Sequence, residues 1–160
     1  MDQTPDPESF RLLFVCTGNT CRSPMAEALL RRALEAAGLP GITVESAGIG
    51  AWEGSPASEG AYLVMLERDI DISGHRARPL TREMVEQADL ILTMGRVQLG
   101  KVRELGAGAR AQLLGEFGGA KGDAAEIADP YGAELDRYRE TYRQLAELIP
   151  AVVSRLGGAP

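Results

Sequence analysis

Four consecutive apolar residues, Leu12-Leu13-Phe14-Val15, run into an uncharged loop and then directly into a helix signature at Ser23-Pro24. A short strand without polar alternation is one buried on both faces, as in a parallel sheet covered by helices on each side. From Ser23 the apolar period changes. Ala26, Leu29, Leu30, Ala33, Leu34 and Ala37 share one helical face, with Ser23 expected at the N-cap, Pro24 at the first helical position and Gly38 just past the end. Such a strand–loop–helix unit commits the chain to a crossover, because parallel strands cannot be joined by a tight turn.

The remaining pattern repeats that alternation. Ile42 to Glu45 reads as a second strand, Ser55-Pro56 opens a helix through about Arg68, and Asp71 to Pro79 reads as loop. Thr81 caps a short helix, with Leu80 and Val85 placed as a hydrophobic staple. Leu90-Ile91-Leu92, within Asp89 to Met94, is a third buried strand; a short helix and a weak fourth strand, Ala111 to Leu114, follow. Leu135, Tyr138, Tyr142, Leu145, Ile149, Val152 and Leu156 form a stripe at spacings of three and four, which fits a core-facing final helix too short for a coiled coil. Pro150 is expected to kink or end that helix. Strands alternating with helices predict a three-layer α/β/α sandwich with a parallel sheet. With 160 residues the chain has the length of one domain, taken as residues 10–157, and residues 1–9, with Pro5 and Pro7 among acids, read as a disordered arm.

Composition narrows the function. The net charge is −6 with no basic cluster, which argues against nucleic acid as a partner while leaving room for a locally positive anion pocket. No apolar run is long enough to span a membrane, and the polar, acidic start is unlike a signal peptide, so the expected location is the cytoplasm. Two cysteines and one histidine leave no disulfide framework and few metal-site spacings, so no metal or cofactor is expected.

The chemistry concentrates in Cys16-Thr17-Gly18-Asn19-Thr20-Cys21-Arg22-Ser23, between the first strand and the first helix. Binding sites of open parallel sheets lie at the carboxyl ends of strands, and a helix N-terminus favours an anion. Gly18 and Asn19 tolerate positive φ, so the loop can curl with its amides pointing inward. Arg22 adds a planar fork of donors suited to phosphoryl oxygens, the same field is expected to lower the Cys16 pKa, and the Ser23 hydroxyl can donate to the thiolate. Each piece alone is ordinary: a core thiol, a surface arginine, a glycine loop. The pattern lacks the lysine of a Walker loop, and Gly48-Ile49-Gly50 is no dinucleotide fingerprint. Together, a thiolate over an amide cradle is what phosphoryl transfer through a cysteinyl-phosphate intermediate requires.

This chain resembles the low-molecular-weight protein phosphatases. The resemblance rests on Val15 to Glu27, on Ser46-Ala47-Gly48 and on Asp129-Pro130-Tyr131-Gly132, and extends from Arg11 to about Leu156. It implies a four-stranded parallel sheet flanked by helices, Cys16 as nucleophile, Arg22 as phosphate clamp and Asp129 as general acid. It implies further that Thr17, Gly18, Asn19, Thr20, Cys21 and Ser23 bind or support the phosphate. Asp129 precedes a proline and so takes extended geometry in a loop, from which a carboxylate can reach across a pocket; its ordinary reading is an Asp-Pro turn. The implied partner is a phosphorylated protein, with inorganic phosphate as product.

Three substrates compete. Tyrosine phosphatases of this family usually carry an aliphatic residue where Thr20 stands. Protein-arginine phosphatases are more similar there, and also in the single aromatic, Tyr131, after Asp-Pro. Trp52 pulls toward phosphotyrosine as an aromatic wall, or is a half-buried surface residue. Arsenate reductases with a similar loop need cysteines downstream, and none follows Cys21. A silent phospho-binding module would need neither nucleophile nor acid. Cys21 itself reads either as a redox guard able to pair with Cys16 or as a small residue packed beneath the loop.

Overall fold

In a computed structural model, which describes residues 9–157, four strands form one parallel sheet. They are β1 (Phe10–Cys16), β2 (Ile42–Gly48), β3 (Leu90–Thr93) and β4 (Ala111–Leu113), in spatial order β2-β1-β3-β4. The helices are α1 (Arg22–Ala36), α2 (Glu59–Leu66), α3 (Arg82–Gln87), α4 (Arg96–Glu104), α5 (Leu114–Phe117) and α6 (Leu135–Leu156). Of the expected N-terminal arm, all but Ser9 lies outside the described residues.

Side chains of β1 alternate between two cores, as the period of two requires. Leu12 and Phe14 face Met25 and Leu30 of α1, Met65 of α2 and Leu145 of α6, whereas Leu13 and Val15 face Val85 of α3 and Val102 of α4. These are the three layers. The chain moves from β1 outward to β2, then back across β1 to β3. That reversal opens a crevice at the carboxyl end of β1, where Cys16 lies. No helix among the described residues is long and apolar enough to cross a membrane.

Gly38 takes φ +69 just past α1, with Leu39 N–H donating to Leu34 O and Gly38 N–H to Glu35 O, the Schellman ending expected of a glycine there. Thr81 caps α3 through Met84 N–H. Four expectations are corrected. The first two strands run longer, since β1 and β2 pair in continuous register from Phe10↔Ile42 to Cys16↔Gly48. The second helix starts at Glu59 rather than Ser55. Ser55 O accepts from Ala77 N–H and Ser58 N–H donates to Thr20 O, so that stretch of backbone is engaged in tertiary bonds. Pro150 does not end α6, which stays helical to Leu156. Burial of Leu148, Ile149 and Val152 around it outweighs one missing backbone bond. Finally, Ser23 lies inside α1, whose N-cap is Cys21, with Pro24 two positions after the helix start.

Candidate active site

The displaced Ser23 explains the start of α1. No side chain caps this helix, so its N-terminal dipole is left facing the loop, and the hydroxyl serves the sulfur instead. Ser23 Oγ lies 2.8 Å from Cys16 Sγ, where its hydroxyl can donate to the thiolate, and accepts from Asn19 Nδ2 at 2.7 Å. Asn19 N–H also donates to Sγ, at 3.2 Å. The Asn19 amide is oriented by Arg78 N–H, which donates to Oδ1, and by Ser46 Oγ, which accepts from Nδ2 at 2.9 Å and donates to Glu27 Oε1 at 2.6 Å. His75 Nε2 meets Asn19 O at 2.6 Å. Of the two residues expected to curl the loop, Asn19 alone takes positive φ, at 55°.

The end of β2 closes the loop from below. A Cβ on Gly48 would stand 2.4 Å from Thr17 O and 2.9 Å from Asn19 N, both backbone atoms, so the two chains approach only because position 48 has no side chain.

Above the loop is a cavity of about 290 Å³ bordered by Cys16, Thr17, Gly18, Thr20, Cys21, Arg22, Trp52, Asp129 and Tyr131. The sequence-predicted residues therefore converge, except that Asn19 and Ser23 lie buried beneath the loop rather than on the cavity wall. Arg22 is 6% exposed; one Nη donates to Ile127 O at 3.0 Å, the other is 3.6 Å from Asp129 Oδ2, and its buried Nε–H has no partner. A buried, unsatisfied charged donor at a pocket floor suits an oxyanion. Asp129 is half exposed and accepts from Tyr131 N–H in an Asx turn. Trp52 and Tyr131 are 84% and 72% exposed, so Trp52 is no half-buried surface residue but an open rim.

Cys16 departs from expectation. Burial pushes its thiol above the ordinary value, and this outweighs the opposing pull of the Ser23 hydroxyl and amide, Arg22 and Asn19 N–H. The loop field was legible; the depth of burial was not. Cys21, also buried, touches Ser58 Oγ at 3.0 Å and Tyr138 Oη at 3.7 Å, and both cysteines are free thiols. The sequence assigns no role to Ser46, Glu27, His75 or Arg78; the signals for the first two are their places in the Ser46-Ala47-Gly48 and Val15 to Glu27 matches. A larger cleft of about 570 Å³ lies behind the loop, but it contains neither cysteine, and its Glu27 and Glu45 are paired with Arg31 and Arg78. Among the described residues no three His, Cys, Asp or Glu side chains cluster as a metal site would require.

A doubly wound sheet whose first loop holds a thiol against aligned amide and guanidinium donors defines the class: a cysteine-dependent phosphatase. The sequence model of the low molecular weight phosphotyrosine protein phosphatases matches residues 11–158, and the chain belongs to that family. It is 42% identical to the probable low molecular weight protein-tyrosine-phosphatase EpsP of Ralstonia nicotianae, over 91% of this chain and 94% of that one. The YwlE arginine phosphatase of Geobacillus stearothermophilus superposes with a TM-score of 0.83 at 39% identity, covering 93% and 94% of the two chains. A YwlE variant with serine in place of cysteine and a phosphorylated active-site serine superposes with a TM-score of 0.81 at 35% identity, covering 94% and 97%.

Proposed function

We propose that this chain is a cytoplasmic protein-arginine phosphatase. Cys16 as thiolate attacks phosphorus, the P–N bond breaks, and Asp129 delivers a proton to the departing guanidine nitrogen. Arg22 and the loop amides hold the three equatorial oxygens. Water, giving its proton to Asp129, then displaces the thiolate from phosphorus and releases inorganic phosphate. The phosphorylated serine of the YwlE variant supports the position of the nucleophile.

Thr20 carries the choice of phosphoarginine. It borders the cavity next to Cys21, and its hydroxyl can accept from a guanidinium where an aliphatic side chain could not. Overall identity, 42% to the tyrosine-phosphatase relative and 39% to the arginine phosphatase, does not separate the two substrates. Trp52 at the rim favours the second reading, a phosphotyrosine phosphatase, because an exposed indole can stack on a phenyl ring.

The test is kcat/KM on matched phosphoarginine and phosphotyrosine peptides. Wild type should prefer phosphoarginine, and Thr20→Ile should move the ratio toward phosphotyrosine by ~10–200-fold, the range of a methylene-scale change in apolar contact. A wild-type preference for phosphotyrosine that Trp52→Ala removes overturns the assignment.

A further inference from the structure

Asp129 is loosely held by its own neighbourhood. Its carboxylate is 47% exposed, accepts one bond from within its own turn, and approaches Arg22 only to 3.6 Å. Its height above Cys16 is set by the backbone on either side of it, with buried Pro130 following and an anchored segment just before. There Ile127 is anchored from below: its N–H donates to Met94 O at 2.8 Å, its O accepts from Arg22, and its side chain is 2% exposed. Glu126 is anchored from the side. Its backbone O accepts from Gln144 of α6 at 3.0 Å.

The Glu126 carboxylate has a separate job. Oε2 accepts the Arg96 backbone N–H at 3.1 Å, and Oε1 is ion-paired with the Arg96 guanidinium. Arg96 is the first residue of α4, whose own N-cap, Gly95, has no side chain to offer. Glu126 therefore caps α4 from another part of the chain, where a carboxylate is favoured by the helix dipole. Arg96 also reaches Gly122 O at 3.4 Å, so one side chain holds both ends of the turn that leads into the Asp129 loop. Space agrees, because a Cβ on Gly95 would lie 2.9 Å from Glu126 Oε2. The Arg96 contacts hold the Glu126 carboxyl below its ordinary range, so the clamp stays charged across the neutral pH region.

We propose that Glu126, clamped to Arg96 and the N-terminus of α4, is the positioning residue that sets Asp129 over the pocket. The inference rests on Asp129 being the general acid. A positioning residue acts only where the acid is needed, so its loss should depend on the leaving group.

The experiment measures kcat/KM, which reports the first phosphoryl transfer, on a phosphoarginine peptide and on 2,4-dinitrophenyl phosphate, whose leaving group needs no proton. Glu126→Ala and Arg96→Ala should each lose about 10-fold or more on the peptide, within the range a misplaced catalytic group costs, and less than about 2-fold on the activated ester. In the Asp129→Asn background Glu126→Ala should cost nothing further on the peptide. Glu126→Gln, which keeps an acceptor for Arg96 N–H, should fall between and guards against a folding defect in the alanine variant. Equal losses on both substrates, no loss on either, or losses that add to Asp129→Asn overturn the positioning role. If Asp129→Asn itself loses equally on both substrates, the general-acid reading falls first, and the two failures are thereby told apart.

Discussion

Replacing Ser23 with alanine removes the hydroxyl 2.8 Å from Cys16 Sγ without touching the amide cradle. A thiolate can only accept, so in that form the Ser23 hydroxyl donates to the sulfur while Oγ accepts from Asn19 Nδ2. The hydroxyl favours the thiolate over the thiol, so its loss must raise the Cys16 pKa further above the value to which burial already pushes it. A hydrogen bond to a charged acceptor is worth about 1.5–3 kcal/mol. At 1.36 kcal/mol per unit, the shift is about 1–2 units upward. Below both pKa values the thiolate fraction therefore falls about 10- to 100-fold, and the acid limb of kcat/KM moves to higher pH by the same interval. Iodoacetamide alkylation of Cys16 against pH reads the ionisation directly, and kcat/KM against pH reads its use. Ser46→Ala, one link further along the same chain of bonds, should shift the profile less. The alternative is that Ser23 merely supports Asn19; then the melting temperature drops while both pH profiles superimpose on wild type, and the reasoning is refuted.

Arg22→Lys keeps the charge but loses the planar fork, including the unpartnered buried Nε–H, and should lower kcat by about 100-fold, as removal of an oxyanion donor does. A loss confined to KM would contradict this. Under peroxide, wild type should regain activity with a thiol reductant while Cys21→Ser should not; equal recovery leaves Cys21 with its packing contacts to Ser58 and Tyr138 alone. Gly48→Ala drives a Cβ against Thr17 O and Asn19 N and should destabilise the fold by about 1–3 kcal/mol while lowering kcat/KM, measured by denaturant melts alongside kinetics. Retained activity with an unchanged midpoint would show that the loop has room to give.

The parts legible in the sequence were those whose causes lie within a few residues. The unalternating run before Cys16, the glycine after α1 and the threonine before α3 each announce a local geometry, and the structure places them so. Cys16 and Arg22 could be paired because one loop carries both. Asp129 needed the mechanism to find it, since nothing local distinguishes it from an ordinary turn aspartate. Beyond that the sequence was silent about bonds that span distant positions. Asn19 is aligned by Ser46 and Arg78, which the fold alone brings to it. Ser23 looked like a cap because serine before proline usually is one, and only the neighbouring sulfur makes another use of its proton. Likewise Ser55 looked like a helix start until Ala77 claimed its carbonyl. The direction of the Cys16 pKa has the same origin, because burial is a property of the assembled layers and not of the loop.

The ladder between β1 and β2 does not stop where the strands do. Ile49 N–H donates to Cys16 O at 3.0 Å and Gly50 N–H to Thr17 O at 2.9 Å, so two more rungs continue onto the loop itself. Gly48 in turn is stitched to the next segment through Arg78 O and Leu80 N–H. The start of the loop, Cys16-Thr17, consequently cannot lift away without breaking the sheet's own ladder. The Ile49 and Gly50 amides that form these rungs belong to the same cooperative unit as the central strands and should exchange with solvent only on the timescale of global unfolding. Warming the protein then leaves the base of the cradle unchanged until the whole sheet melts, so that loss of activity and loss of fold fall at one temperature, and slow exchange at Ile49 and Gly50 measures the stability of the domain.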